Sequence, residues 1–140
     1  MKLIFCVDKK NGIMFFGKRQ SQDSVLRKWI IAHTADSKLW MSNYSAEQFS
    51  DLSGYIADDD YNAKAGKDDY CFVENNNYNL ENVNEIIICR WNRQYPADLF
   101  FNIDLKANGF RNVRSEDIVG SSHDKITIEI YKSYGEMSRG

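Results

Sequence analysis

The stretch Glu85-Ile86-Ile87-Ile88-Cys89-Arg90-Trp91 is the strongest strand signal in the chain and decides the fold class. Four consecutive apolar residues, three of them β-branched, are typical of a strand inside a sheet. A second run, Leu3-Ile4-Phe5-Cys6-Val7, stands near the start of the chain, and Asn11-Gly12 marks the turn that closes it. These runs predict a sheet with buried central strands.

An amphipathic helix is predicted after the first strand. Ser21 is predicted as its N-cap, with Asp23 in the first turn, where the helix dipole favours a carboxylate. Apolar residues recur at helical spacing between Val25 and Ile30, and the helix is predicted to end near Ala32.

The other predicted elements are shorter. Residues 38–41 and 70–73 are predicted strands, and Ser45 is predicted to cap a short helix. Residues 110–115 read as an edge strand, and residues 125–131 alternate apolar and polar like an antiparallel strand with one wet face. Residues 51–69 are polar and rich in aspartate without the spacing of a calcium loop, so they are predicted to be a long loop.

Strands and helices alternate early in this order, and paired strands come late. The order predicts an α/β fold with a mostly parallel central sheet, a C-terminal antiparallel hairpin and flanking helices. The length of 140 residues is that of one domain, so residues 1–140 are predicted to form a single domain.

Composition excludes several classes of protein. The formal net charge is −2, whereas a nonspecific nucleic-acid binder carries a strong basic excess, so nucleic-acid binding is not expected. Cys6, Cys71 and Cys89 lack metal-ligand spacing and read as buried free thiols in a reducing compartment; no metal site is expected. No signal peptide and no apolar run long enough to span a bilayer is evident, so the expected location is cytoplasmic.

Several segments stand in a characteristic order. The opening residues 4–13 are followed by Gly17-Lys18, by Asp23 at a helix start, and by residues 39–45. The clearest segments are C-terminal: residues 97–104, residues 110–115 and the strand that ends at Tyr131. In this order and spacing the chain resembles the dihydrofolate reductase family, which implies that family's fold.

The resemblance breaks down where that family holds NADPH. The family has a Gly-Gly pair after a strand, which lets backbone amides approach the cofactor's pyrophosphate. At the matching position this chain has Glu74-Asn75-Asn76-Asn77. The asparagine side chains would fill the space that a phosphate needs, and the charge of Glu74 would repel it. The segment Ser42-Asn43-Tyr44-Ser45 keeps a hydroxyl at Ser45 but has no Arg or Lys for the phosphates. No cofactor is therefore expected.

Asp23 is the candidate catalytic residue. By resemblance it matches the acidic residue that binds the pterin ring and promotes its protonation. A carboxylate in a cleft is also suited to gripping a donor–donor edge such as an aminopyrimidine, whereas the alternative role is helix capping alone. The preceding Lys18-Arg19-Gln20-Ser21 is a candidate anion pocket or, alternatively, a solvated loop.

A second group of candidate ligand-binding residues ends the strongest strand. Arg90-Trp91-Asn92-Arg93 places two arginines and an indole where ligands gather in open α/β sheets. Arg90, Trp91 and Arg93 are therefore candidates, although Trp91 also fits a packing role. Ser45 joins the candidates through its hydroxyl.

Residues 120–125 contain Ser121, Ser122, His123 and Asp124 in succession. Catalytic triads are assembled from distant segments, and consecutive turn residues usually face water. These residues are therefore expected to lie in a solvated hairpin turn. The sequence also has no P-loop, GxSxG elbow or clustered metal ligands.

The leading functional hypothesis is a degenerate dihydrofolate reductase-like protein. It would bind a small anionic or heteroaromatic ligand, or a protein partner, without NADPH-dependent hydride transfer. One alternative is an active reductase with altered cofactor or substrate use. Another is a hydrolase or RNA-processing protein, for which the candidate residues are Arg19, Gln20, Asp23, Arg93 and His123. The sequence predicts no oligomeric state.

Overall fold

The two apolar runs form neighbouring strands at the centre of one sheet. The structure is a computed structural model that describes residues 1–134. Its strands, in chain order, are β1 (Lys2–Val7), β2 (Gly12–Phe15), β3 (Lys18–Arg19), β4 (Leu39–Met41), β5 (Ile56–Ala57), β6 (Tyr70–Phe72), β7 (Glu85–Arg90), β8 (Leu99–Phe100), β9 (Phe110–Ile118) and β10 (Ile126–Ser133). Its α-helices are α1 (Ser24–His33), α2 (Asn43–Ala46) and α3 (Tyr61–Lys64), with single 3-10 turns at Glu47–Phe49 and Leu80–Asn82.

The main sheet has seven strands in the order β5-β4-β6-β1-β7-β10-β9. The five strands from β5 to β7 are mutually parallel, whereas β10 runs antiparallel to β7 and β9 runs antiparallel to β10. The predicted mostly parallel sheet with a C-terminal antiparallel hairpin is thus confirmed. The prediction of one domain over residues 1–140 stays a prediction, and its residues 135–140 lie outside the described residues.

Both faces of the central strands are buried, which explains their uninterrupted apolar sequence. On one face, Ile4 of β1 and Ile87 of β7 pack with Leu26 and Ile30, the buried residues of α1. On the other face, Phe5 packs against aromatic side chains from loops and short turns rather than against a long helix.

Beside the main sheet lies a small antiparallel sheet in the order β3-β2-β8. It positions the segment before α1, because β2 pairs with both β3 and β8. The candidate residues Lys18 and Arg19 form β3, so they are held in a hairpin instead of in a solvated loop.

Both predicted helix caps were displaced by two or three residues. Asp23, not Ser21, is the N-cap of α1, and Ser42, not Ser45, is the N-cap of α2. Each observed cap accepts a hydrogen bond from the backbone N–H of a residue in the first turn, which is the physical requirement for the position.

Residues 51–69 were predicted to be a long loop, and that prediction was wrong for part of the segment. They contain β5 and α3, and β5 extends the parallel sheet through the pairs Trp40↔Ile56 and Met41↔Ala57. A two-residue strand carries no periodic signal of its own and is stabilised by its neighbour in the sheet. Within residues 1–134, no helix has the length and apolar character needed to cross a bilayer.

The tip of the β2–β3 hairpin generates the first prediction. Phe16 and Gly17 form a two-residue loop with φ of 50° and 71°, the pattern of a type I′ turn, and Phe16 is 78% exposed. Asn tolerates positive φ better than Phe, so Phe16→Asn should raise the free energy of unfolding by about 0.5–1 kcal/mol in urea denaturation. Phe100→Asn, an exposed strand position with ordinary φ, is the control and should give no gain. A Phe16→Asn protein no more stable than wild type would contradict this account of the turn.

Candidate functional site

Asp23 lies at the N-terminus of α1 with only 2% of its surface exposed. Its backbone is extended, with φ of −151°, and its Oδ1 accepts hydrogen bonds from the N–H groups of Val25 at 3.0 Å and Leu26 at 3.2 Å. These bonds satisfy two of the free amide donors at the start of the helix.

The turn between β9 and β10 folds over the same carboxylate. The amides of Ser121 and Ser122 donate to Oδ1 and Oδ2 of Asp23 at 3.0 Å and 2.8 Å, and His123 Nδ1 lies 3.0 Å from Oδ2. Gly120 approaches so closely that a Cβ there would collide with the Asp23 carboxylate. Both oxygens of Asp23 are therefore occupied by the chain itself.

These contacts set the charge of Asp23. Burial alone would raise its pKa, but hydrogen bonds from His123 and from the amides of Ser122, Ser121 and Leu26 outweigh burial and hold the pKa of Asp23 well below its usual range. Asp23 is consequently a carboxylate at neutral pH.

His123 is buried, with 4% of its surface exposed, so the expectation that it faces water was wrong. Its ring stacks on the indole of Trp91 with centroids 4.5 Å apart, and Nε2 lies 3.0 Å from Ser21 Oγ and 3.1 Å from the Tyr95 hydroxyl. Because the ionised Asp23 can only accept, Nδ1 carries the proton in this arrangement and the Nε2 of a neutral ring accepts from a hydroxyl. We call Asp23, His123, Ser21 and Tyr95 the Asp23 cluster.

A second buried carboxylate, Glu74, follows β6. Arg19 binds it with two parallel hydrogen bonds, each 3.0 Å long, from Nε and Nη2. Ser45 Oγ donates to Oε1 at 2.7 Å and Gln48 Nε2 at 3.1 Å, while the Arg19 guanidinium also lies over the Tyr44 ring. We call Glu74, Arg19, Ser45 and Gln48 the Glu74 cluster; in it a cation and two polar donors converge on one anion.

A groove of about 380 Å³ lies where β1 and β7 end. It is lined by Lys9, Trp91, Asn92, Arg93, Asp124 and Lys125. Its three cations form no ion pair within residues 1–134. With Asp124 as the acidic residue of the lining, this basic groove carries two more positive than negative charges.

A larger cavity of about 760 Å³ lies at the amino ends of β1 and β7, lined by Met1 and by residues between 62 and 84. No predicted site residue lines it. Ligands in open α/β sheets bind at the carboxyl ends of strands, which favours the smaller groove as the candidate site.

The remaining predicted residues lie apart from these clusters. Gln20 Nε2 donates to Asp8 Oδ2 at 3.1 Å, and Arg90 forms an ion pair with Glu129 at 2.7 Å. Lys18 is exposed and makes no ion pair within the described residues. The structure therefore brings together Ser21 with Asp23, Arg19 with Ser45, and Trp91 with Arg93, and their functional roles stay predictions.

Sequence reasoning missed the partners rather than the principal residues. His123 was named with Asp23 only as one of several hydrolase candidates, and no local pattern marks His123, Tyr95 or Gln48 as partners of Asp23 or Glu74. Glu74 was interpreted only as a charge that repels phosphate. Its position directly after a predicted strand could have suggested an ion pair with Arg19. Residues 1–134 contain no group of three or more His, Cys, Asp or Glu side chains placed to hold a metal ion.

The contacts of Asp23 predict the cost of removing its charge. Asp23→Asn should lower the free energy of unfolding at pH 7 by about 1.5–3 kcal/mol, because hydrogen bonds from buried donors to a carboxylate are lost or weakened. The pKa of Asp23 is lower in the folded protein than the unfolded value of about 3.9. The carboxylate therefore stabilises the fold fully above pH ~3.9, and this stabilisation is lost as the pH falls through the folded pKa. Urea denaturation at pH 7 and pH 3 should show the difference narrowing in acid. The exposed Asp124→Asn is the control, and an equal loss in both variants would contradict the assignment.

Comparisons with known proteins give a likeness of fold. No family model matches the chain, and no curated protein matches its sequence. Among solved structures, the chain is similar to dihydrofolate reductase from Enterococcus faecalis complexed with NADP(H) and RAB-propyl, with a TM-score of 0.65, 13% sequence identity and 95% of each chain covered. At this identity the likeness shows the fold alone: the chain has a dihydrofolate reductase-like fold.

Proposed function

We propose that this protein is a dihydrofolate reductase-like binding protein that takes a small anionic or heteroaromatic ligand and carries out no NADPH-dependent hydride transfer. The observation that carries the proposal is the Glu74 cluster. By resemblance, the turn after β6 and the hydroxyl of Ser45 face the cofactor's phosphates. In this chain the hydroxyl of Ser45 donates to Glu74, whose carboxylate also holds Arg19 and Gln48.

The Glu74 carboxylate is thus an internal substitute for an anionic ligand. A phosphate that approached Ser45 would have to displace a bidentate, partly desolvated ion pair and would meet a like charge. The Asp23 cluster supports the same reading, because the acidic residue that would grip a pterin already binds His123 and two backbone amides.

The basic groove is the proposed ligand site. Lys9, Arg93 and Lys125 supply positive charge for an anion, and Trp91 is the aromatic residue of the lining, although it is only 4% exposed and stacks on His123. A cytoplasmic location stays part of the proposal and agrees with the free thiols of Cys6, Cys71 and Cys89.

An active reductase with altered cofactor or substrate use is the second candidate. The observation that favours it is the likeness to a dihydrofolate reductase solved in complex with NADP(H). Cofactor binding separates the two candidates.

NADPH should not bind the wild-type protein at micromolar concentrations in isothermal titration, and dihydrofolate should not be reduced in an absorbance assay. Glu74→Ala frees Arg19 and Ser45, so pyrophosphate should bind this variant at least about tenfold more tightly than wild type. Glu47→Ala removes an exposed negative charge from the same region without freeing Arg19, and it should bind pyrophosphate like wild type. Saturable micromolar binding of NADPH to wild type would overturn the proposal in favour of the reductase.

The groove is tested with AMP, which combines an anion with a heteroaromatic ring. Arg93→Ala should weaken AMP binding by about tenfold in isothermal titration at low salt, the effect of one charge-assisted contact at a partly exposed site. Lys10→Ala removes an exposed charge that does not line the groove and should leave the affinity unchanged. Equal AMP affinities for wild type, Arg93→Ala and Lys125→Ala would remove the groove from the proposal.

A further inference from the structure

We propose that Ser21, His123 and Asp23 form a nucleophilic relay that hydrolyses small carboxylic esters. This activity goes beyond ligand binding, and the relay touches the basic groove through Trp91, which lines the groove and stacks on His123. The relay is assembled from segments about 100 positions apart, as the separation of Asp23 from His123 shows. Of the consecutive Ser, His and Asp residues of the β9–β10 turn, the relay uses His123 and takes its Ser and Asp from the segment before α1.

The base of the relay is oriented by a carboxylate. Asp23 Oδ2 lies 3.0 Å from His123 Nδ1, and Trp91 stacks on the imidazole ring, so the ring has one orientation. With the proton on Nδ1, the lone pair of Nε2 faces Ser21 Oγ at 3.0 Å. A hydroxyl within hydrogen-bond reach of a base, with the base held by a third group, is the arrangement that activates a nucleophile.

Ser21 is accessible, whereas its two partners are enclosed. Its side chain is partly exposed, while Asp23 and His123 are 2% and 4% exposed. The Tyr95 hydroxyl shares Nε2 with Ser21, at 3.1 Å, and lies 3.5 Å from Ser21 Oγ. We assign the nucleophile to Ser21 because an alkoxide is the stronger nucleophile and because free backbone donors lie beside this residue.

Those donors are the backbone N–H groups of Gln22 and Asp23, neither of which has a hydrogen-bond partner within residues 1–134. Gln22 is exposed, so we assign its N–H to the substrate, whereas Asp23 is enclosed and its carboxylate caps α1. The amide that follows a nucleophile is a common donor to the oxyanion of acyl transfer. The nucleophile and its oxyanion donor therefore come from the same turn of chain, whereas His123 comes from the β9–β10 turn.

The reaction balances without a cofactor. Ser21 Oγ bonds to the ester carbonyl carbon as its proton passes to His123 Nε2, and the carbonyl electron pair moves to oxygen. The tetrahedral intermediate expels the alcohol, which takes the proton from the imidazolium and leaves an acyl group on Ser21. Water then adds with proton transfer to Nε2, and collapse releases the carboxylic acid and returns the proton to Ser21.

The test uses p-nitrophenyl acetate and a fluorophosphonate probe on the full-length protein. We expect the fluorophosphonate to label Ser21, located by peptide mass spectrometry, and the label to disappear when the protein is unfolded in urea. Ser21→Ala should lose the label and at least about 100-fold of the ester hydrolysis, the scale of a nucleophile with its general base. The loss of hydrolysis in Ser21→Ala separates turnover at Ser21 from acetylation of surface lysines, which this variant retains.

Two variants with verified thermal melts serve as controls. Ser24→Ala removes a neighbouring hydroxyl that bonds to Ser121 and not to His123, and it should keep both label and rate. Tyr95→Phe leaves Ser21 as the hydroxyl on Nε2 and tests which hydroxyl is the nucleophile, because the fluorophosphonate label should stay on Ser21. The proposal is overturned if Ser21 is not labelled in the wild type, if Ser21→Ala hydrolyses the ester like wild type, or if the label lies on Tyr95. None of these outcomes bears on AMP or NADPH binding, so the relay and the binding function fail separately.

Discussion

A buried carboxylate must be surrounded by hydrogen-bond donors, and Asp23 meets this constraint by joining two distant parts of the chain. Two of its donors come from the first turn of α1, and the others come from the turn between β9 and β10. Removing either set would leave the carboxylate with only part of its donors in a site that is almost fully enclosed. The Asp23 carboxylate therefore joins the start of α1 to the β9–β10 turn, in addition to the apolar contacts of Leu26 and Ile30.

Glu74 obeys the same constraint, and Arg19 of β3 supplies two of its hydrogen bonds. Each cluster compensates an internal negative charge at a place that the family resemblance assigns to a ligand. An enzyme that binds a charged ligand keeps such donors free and accepts the cost in stability. In this chain the donors contribute to the folded state instead. This trade explains how the fold is retained while the proposed function moves to the basic groove.

The sequence was sufficient for the parts of the fold that local patterns encode. The runs that form β1 and β7 are apolar on both faces, and β10 alternates, so their places in the sheet follow from sequence. The elements β5 and α3 were missed because they contain two and four residues and are stabilised by neighbours in the fold. For the site, resemblance drew attention to Asp23, but His123 stands 100 positions away. Only the closed hairpin turn brings the two together.

The contact between His123 and Asp23 has two explanations: His123 only compensates the buried carboxylate, or Asp23 orients His123 as a base. A histidine that served only to neutralise a buried carboxylate needs one hydrogen bond, and the backbone amides of Ser121 and Ser122 already provide several. Nε2 of His123 lies within hydrogen-bond distance of the hydroxyls of Ser21 and Tyr95. One hydroxyl would be enough to satisfy this acceptor. The surplus hydroxyl is the partly exposed one beside free amides, which is where a reacting group has to be. Compensation of the Asp23 charge explains the hydrogen bond of His123 Nδ1. The two hydroxyls at Nε2 are explained by the proposed relay.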